Sequence, residues 1–124
     1  MQARPDSDAL SEQLEQFESY LRSERRASQN TQRAYGRDLH ELYLYAREQG
    51  LPLDAEVLDV GALRGFLATL APRIQAATLA RKVAALRAFY RFLKRRGLCT
   101  RDSATLLRAP KVPKTLPKFL GVED

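Results

Sequence analysis

Leu79, Val83, Leu86, Tyr90 and Leu93 stand four, three, four and three residues apart. That spacing puts all five on one face of an α-helix, and an apolar stripe of this length must be buried against other elements. The same period returns in Leu10, Leu14, Phe17 and Leu21, and again in Tyr35, Leu39, Leu42 and Ala46. A shorter stripe follows in Leu63, Phe66, Leu67 and Leu70. No strand-like alternation of useful length interrupts these segments, so the chain reads as all-α. Start and stop signals agree with four helices: Ser7 and Asp8, then Ser28, Asn30 and Thr31, then Asp59, then Gln75 or Thr78 at the starts. Gly50, Pro72 and Gly97 mark the ends. The connections are short, which favours antiparallel or crossed neighbours in a small bundle. Past Gly97, Asp102 and Ser103 are expected to cap one short turn carrying Leu106 and Leu107.

The chain has 124 residues, enough for one ordinary core and too few for two. We expect a short N-terminal arm over residues 1–9 and the helical domain over 10–108. Pro110, Pro113 and Pro117, interleaved with Lys111, Lys114 and Lys118, exclude helix and favour an extended segment. Residues 109–118 therefore read as an interdomain linker, and 119–124 as the start of a further domain. No apolar run approaches the roughly 20 residues needed to span a bilayer, and the N-terminus has no signal-like apolar stretch. With one cysteine, Cys99, and one histidine, His40, neither a disulfide framework nor a Cys/His zinc site can be assembled. No Gly-rich phosphate loop, no paired acids at metal spacing and no Ser/His/Asp set is present. We expect no catalytic residue, no metal and no cofactor in this chain, and the cytoplasm is the default compartment.

Charge is unevenly distributed. Residues 1–80 hold 9 Arg or Lys against 12 Asp or Glu, whereas residues 81–118 hold 12 basic residues against Asp102 alone, a net of +11. Such a segment repels itself unless an anion lies against it, and nucleic acid is the commonest such partner. On a helical wheel the fourth helix sets Ala80, Arg81, Ala84, Ala85, Ala88 and Arg91 opposite its apolar stripe. Small residues between arginines suit close approach to a major groove, with guanidinium groups reaching phosphates or guanine edges. Thr78 and the free N–H groups of that helix's first turn are placed to bind a phosphate. On the second helix Thr31 lies near the start, while Arg33 and Arg37 share the side away from Leu39 and Leu42. Arg37 is also spaced to pair with Glu41. Arg87 borders the apolar stripe, where its stem can pack and its head can meet an acid. Tyr35 and Tyr90 fall on core faces as packing residues. Asp38 reads as a structural partner for an arginine, and His40 as a solvated side chain. Cys99 lies among basic residues, which lower a thiol pKa. The expected contacts to duplex DNA are Thr31, Arg33, Arg37, Thr78, Arg81, Lys82, Arg87, Arg91, Lys111 and Lys114. Replacing Arg81 and Lys82 together by alanine is expected to weaken duplex binding without lowering helical content.

Three stretches resemble a known family: residues 17–21 (FESYL) with 28–39 (SQNTQRAYGRDL), residues 78–93 (TLARKVAALRAFYRFL), and Ala109-Pro110-Lys111 with Leu116-Pro117. Together they resemble the N-terminal, SAM-like core-binding domain of the tyrosine recombinases of the phage integrase class, Xer type, over about residues 10–120. The resemblance implies a four- to five-helix orthogonal bundle that forms half of a C-shaped clamp on DNA, with its second and fourth helices toward the major groove. It implies a linker crossing to a larger catalytic domain that carries the nucleophilic tyrosine. No residue here matches that domain's catalytic set. The implied parent enzyme breaks DNA through a 3′-phosphotyrosine link without metal or nucleotide cofactor. It would exchange strands in a tetrameric synapse, and in Xer members resolve chromosome dimers before cell division. Neighbouring subunits would be met through the first helix. Where the family commonly carries Asn-Pro, this chain has Asp102-Ser103.

Other function classes remain open at this level. A helical protein-interaction domain could use the basic tail on an acidic partner. A lipid-binding role wants an apolar face free of the core, and the fourth helix has none to spare. A helix-turn-helix repressor wants a tighter turn before its recognition helix and leaves the Pro/Lys segment unexplained.

Overall fold

The computed structural model describes residues 8–24, 28–101 and 103–108. Four α-helices form within them: α1 (Ala9–Glu24), α2 (Gln29–Glu48), α3 (Val60–Leu70) and α4 (Ala76–Arg95). Two 3₁₀ turns, Ala71–Arg73 and Ser103–Leu106, follow α3 and α4 respectively. Among the described residues there is no strand. Of the expected N-terminal arm over 1–9, residues 1–7 lie outside the described residues, as do the segments over 109–118 and 119–124, with Lys111 and Lys114, and Asp102.

Three of the four helices start on a side-chain cap. The Asp8 carboxylate accepts the Ser11 N–H at 2.8 Å, and Ser11 Oγ in turn accepts the Asp8 N–H at 3.3 Å. Ser28 Oγ accepts the Thr31 N–H at 3.1 Å, and Asp59 Oδ1 accepts that of Ala62 at 2.8 Å. α4 differs, because its N-cap Gln75 makes no side-chain hydrogen bond to the first turn. α2 and α4 end alike, on Gly50 (φ +69°) and Gly97 (φ +72°). In each, the next residue reaches back: Leu51 N–H to Ala46 O at 2.9 Å, and Leu98 N–H to Leu93 O at 2.8 Å. This is the Schellman closure that needs a left-handed residue. α3 gives way at Leu70, and Pro72 sits inside the 3₁₀ turn that ends it.

The core is built from the stripes of all four helices. Leu10, Leu14, Phe17, Leu21, Leu39, Leu42, Ala46, Leu63, Phe66, Leu67, Leu79, Val83, Leu86, Tyr90 and Leu93 are all buried. α4 is the central element, touching α1, α2, α3 and the last 3₁₀ turn. That position explains a difference from the wheel: Ala85, expected to face outward, is fully buried, as are Phe89 and nearly so Phe92. A helix contacted by four elements buries far more than one stripe. Phe17 of α1 meets the rings of Phe89 and Phe92 at 5.6 and 5.5 Å between centroids, within the range of favourable aromatic pairing.

Residues 54–58, between α2 and α3, tie the ends of the bundle together. The buried Tyr90 hydroxyl donates to Ala55 O at 2.9 Å, and Ser103 Oγ donates to Leu58 O at 2.8 Å. Burial pushes the Tyr90 phenol well above its usual pKa range. Gln13 of α1 reaches the same loop, accepting the Ala55 N–H at 2.9 Å and donating to Asp54 at 3.1 Å. Glu56 accepts hydrogen bonds from the Thr100 hydroxyl and from the Thr100 and Arg101 N–H groups. These bonds, the Thr100 hydroxyl foremost, hold its carboxyl down to about 2. Leu107 and Cys99 are buried in the core, so the Cys99 thiol does not stand among the basic side chains.

Candidate nucleic-acid interface

α2 and α4 lie side by side with opposite chain senses. Asp38 of α2 meets Arg81 and Lys82 near the start of α4, while Thr31 and Tyr35 share a groove with Ala88, Arg91 and Arg95 near its end. The charged pairing is specific. Asp38, only 2% exposed, accepts from Arg81 Nε at 2.9 Å, from Arg81 Nη2 at 2.7 Å and from Lys82 Nζ at 2.7 Å. Lys82 Nζ also donates to Glu41 at 2.6 Å. Burial works to raise the Asp38 pKa, but the hydrogen bonds and charges of Arg81 and Lys82 outweigh it and hold the carboxyl below its usual range. Asp38 is thus the arginine partner its sequence position suggests.

Two expectations change here. Lys82, anticipated among the DNA-contacting cations, is buried, and its ammonium is taken by two carboxylates. Two of its three N–H donors are taken, and burial keeps the amine from a partner molecule. Glu41, spaced to pair with Arg37 along α2, goes to Lys82 instead. The four charges of Asp38, Glu41, Arg81 and Lys82 cancel within the protein. It follows that the double alanine substitution of Arg81 and Lys82 would strip a buried carboxylate of its partners, and its effect on binding could not be separated from unfolding.

The outward face of α4 is what remains, and it carries the clearest chemistry. Ala80, Ala84 and Ala88 lie along it with Arg87 and Arg91, lining a shallow groove of about 320 Å³ against Tyr35 and Val83. Toward the helix end a larger groove of about 480 Å³ is lined by Arg91, Arg95, Ser28, Thr31, Tyr35 and aromatic side chains of α1 and α4. Arg91 and Arg95 are exposed and Arg87 is half-buried. None of the three has a carboxylate within ion-pair distance among the described residues; the acid expected beside Arg87 is absent from that set. Arg95, not among the expected contacts, stands four residues after Arg91 and continues the same face. Tyr35, read as a core residue, is half-buried and walls both grooves.

The remaining α2 residues split. Thr31 faces the α4 groove, its hydroxyl accepting from Ser28 Oγ at 3.0 Å. Arg33 and Arg37 are exposed and line the neighbouring groove between α1 and α2 with Glu18 and Arg22. Arg33 donates to Asn30 Oδ1 at 2.8 Å. Thr78 is half-buried in the first turn of α4, beside an N-cap that leaves that turn's N–H groups without a side-chain partner. His40 is exposed and lies 6.4 Å from the Tyr43 ring. Among the described residues no cluster of three His, Cys, Asp or Glu side chains is placed to hold a metal, and no helix is long and apolar enough to cross a membrane.

Comparison with known proteins identifies the family. Residues 14–97 match the family model described as phage integrase, N-terminal SAM-like domain. The chain is 39% identical over 115 residues, 92% of its length, to tyrosine recombinase XerC of Pseudomonas putida, covering 38% of that protein. It is 40% identical over 120 residues, 95% of its length, to tyrosine recombinase XerD of Rhizobium meliloti, again covering 38%. A XerC of Myxococcus xanthus is 38% identical over 94% of this chain. The chain thus spans less than two-fifths of the length of the curated relatives it matches. No solved structure matches. On the matched residues and on a four-helix bundle organised around α4, this chain belongs to the phage integrase N-terminal SAM-like domain family.

Proposed function

We propose that this chain is the DNA-binding, non-catalytic module of a Xer-type tyrosine recombinase, gripping one face of a duplex as half of a clamp. The observation that carries the reading is the outward face of α4, where Arg87, Arg91 and Arg95 alternate with alanines and lack carboxylate partners among the described residues. The charge of the buried Lys82 is already spent inside the protein, whereas these three keep theirs for an external anion. Small side chains between them let a phosphate backbone come close. Thr31, Arg33, Arg37 and Thr78 extend the surface along α2 and the start of α4, and Arg81 stands at its edge. Lys111 and Lys114, in the proline-rich segment, would continue it along the duplex. The parent protein would act in a cytoplasmic synapse of several recombinase subunits and exchange strands through a tyrosine supplied by a separate catalytic domain. Resolution of chromosome dimers is the task proposed for it.

The test is fluorescence anisotropy of this chain on a labelled duplex of roughly 30 bp across a salt series. Half a clamp should bind weakly, with an affinity that falls steeply as salt rises. The variant Arg87→Ala/Arg91→Ala/Arg95→Ala should keep its helical circular dichroism, lose most binding at low salt and show a shallower salt slope. A folded triple variant that binds like the parent would refute the interface. No binding by the parent chain at low salt would favour a helical protein-interaction domain whose basic tail meets an acidic partner.

A further inference from the structure

Asp38 meets Arg81 with both carboxylate oxygens, one to Nε and one to Nη2, from a position that is almost wholly buried. The guanidinium side chain is nonetheless 37% exposed, and its third nitrogen, Nη1, takes no part in that pair. Lys82 Nζ donates to the same Asp38 oxygen, Oδ1, as Arg81 Nη2, and donates to Glu41 as well. Because the four charges cancel, the cluster adds nothing to the long-range attraction that Arg87, Arg91 and Arg95 exert. Nor is stability a sufficient reason for it, since a buried ion pair gains little over apolar side chains of the same size. What the arrangement does supply is a fixed rotamer. A free surface arginine gives up its rotamer freedom when it binds, whereas Arg81 has given it up on folding. Ala80 precedes it and Ala84 follows it three residues on, both exposed and of little bulk.

We infer that Asp38 is a positioning residue for Arg81, holding the guanidinium so that Nη1 stands as a pre-set donor to one phosphate of the duplex. The inference rests on the DNA-binding reading and adds to it a buried residue of α2 that never touches the ligand. A donor fixed before binding loses no rotamer freedom on contact, so it adds affinity and fixes register along the duplex.

The decisive variant is Arg81→Lys, which keeps the charge but cannot hold Asp38 with two nitrogens and offer a third. Binding to a labelled 30-bp mixed-sequence duplex is measured over a salt series, alongside Arg81→Ala and Asp38→Asn, with thermal melts to identify folded variants. Arg81→Lys is expected to weaken binding about tenfold, close to Arg81→Ala, with a salt slope reduced by about 0.9, as for one lost phosphate contact. Asp38→Asn, if folded, is expected to weaken binding as well, although it raises the net positive charge by one. Parent-like binding by folded Arg81→Lys overturns the inference, and so does tighter binding by Asp38→Asn, which would make Asp38 a mask of charge. If Asp38→Asn does not fold, Arg81→Lys decides alone. Failure of the parent chain to bind any duplex removes the DNA reading itself and the inference with it, an outcome distinct from both.

Discussion

Replacing Lys82 by methionine isolates the buried charge cluster. The methionine keeps most of the side chain's apolar stem in place but removes an ammonium that donates at 2.7 Å to Asp38 and at 2.6 Å to Glu41. Stripping a buried carboxylate of its only partner costs about 3–5 kcal/mol. Asp38 is not left bare, because Arg81 still donates twice to it. The loss is therefore nearer that of one charge-assisted hydrogen bond, about 2 kcal/mol. Glu41 adds little, since its side chain is 47% exposed and regains water. For a domain of this size about 2 kcal/mol corresponds to a fall in Tm of roughly 10 °C. Far-UV circular dichroism melts and urea titrations at pH 7 would read it. A double-mutant cycle with Asp38→Asn should return a coupling of at least ~1 kcal/mol. Measured well below its melting temperature, the same variant should keep duplex affinity within about twofold of the parent. A melt unchanged within ~2 °C would refute the energetic argument. A tenfold loss of DNA binding by folded Lys82→Met would refute the placement of this amine inside the protein.

Tyr90→Phe removes the donor to Ala55 O and leaves that carbonyl unpaired in the core, which should cost about 1–2 kcal/mol by urea denaturation. Gly97→Ala meets no neighbouring atom within 4 Å, so its expected cost, about 1 kcal/mol, comes from the backbone at φ +72° alone. A larger loss by thermal melt would mean that the end of α4 is packed in some other way. Glu56 has a folded pKa of about 2 against an ordinary value of 4.5, so the unfolded chain binds its proton first as pH falls. The stability it contributes is full above about pH 4.5 and is lost toward pH 2. Glu56→Gln should therefore show a shallower decline in urea midpoint over that interval than the parent. Equal declines would count against the Thr100 and Arg101 hydrogen bonds.

The helices and their ends were legible because they depend on local chemistry. Asp8, Ser28 and Asp59 cap the helices that follow them, and Gly50 and Gly97 close α2 and α4, as residue types at those spacings require. The apolar stripes were legible for the same reason: a period of four and three has one packed solution. Asp38 was identified as an arginine's partner, but which arginine, and that Lys82 would join it, was not readable. Those residues are more than 40 positions apart, and their meeting depends on how α2 lies along α4.

The surface split along the same line. A helical wheel gives every helix one narrow inside stripe, yet α4 is packed against four elements, so Ala85, Phe89 and Phe92 went inside with the stripe and Lys82 followed. Arg87 and Arg91 line open grooves with no carboxylate in ion-pair reach among the described residues, whereas Lys82 faces the carboxylates of α2. By itself the chain's pattern determined an all-α bundle, its caps and the basic character of one segment, because capping, periodicity and charge are properties of residues near in sequence. Only the tertiary structure decided which of those cations remain available to an external anion. Availability depends on whether a carboxylate distant in sequence arrives within hydrogen-bonding reach, and that is settled by helix packing.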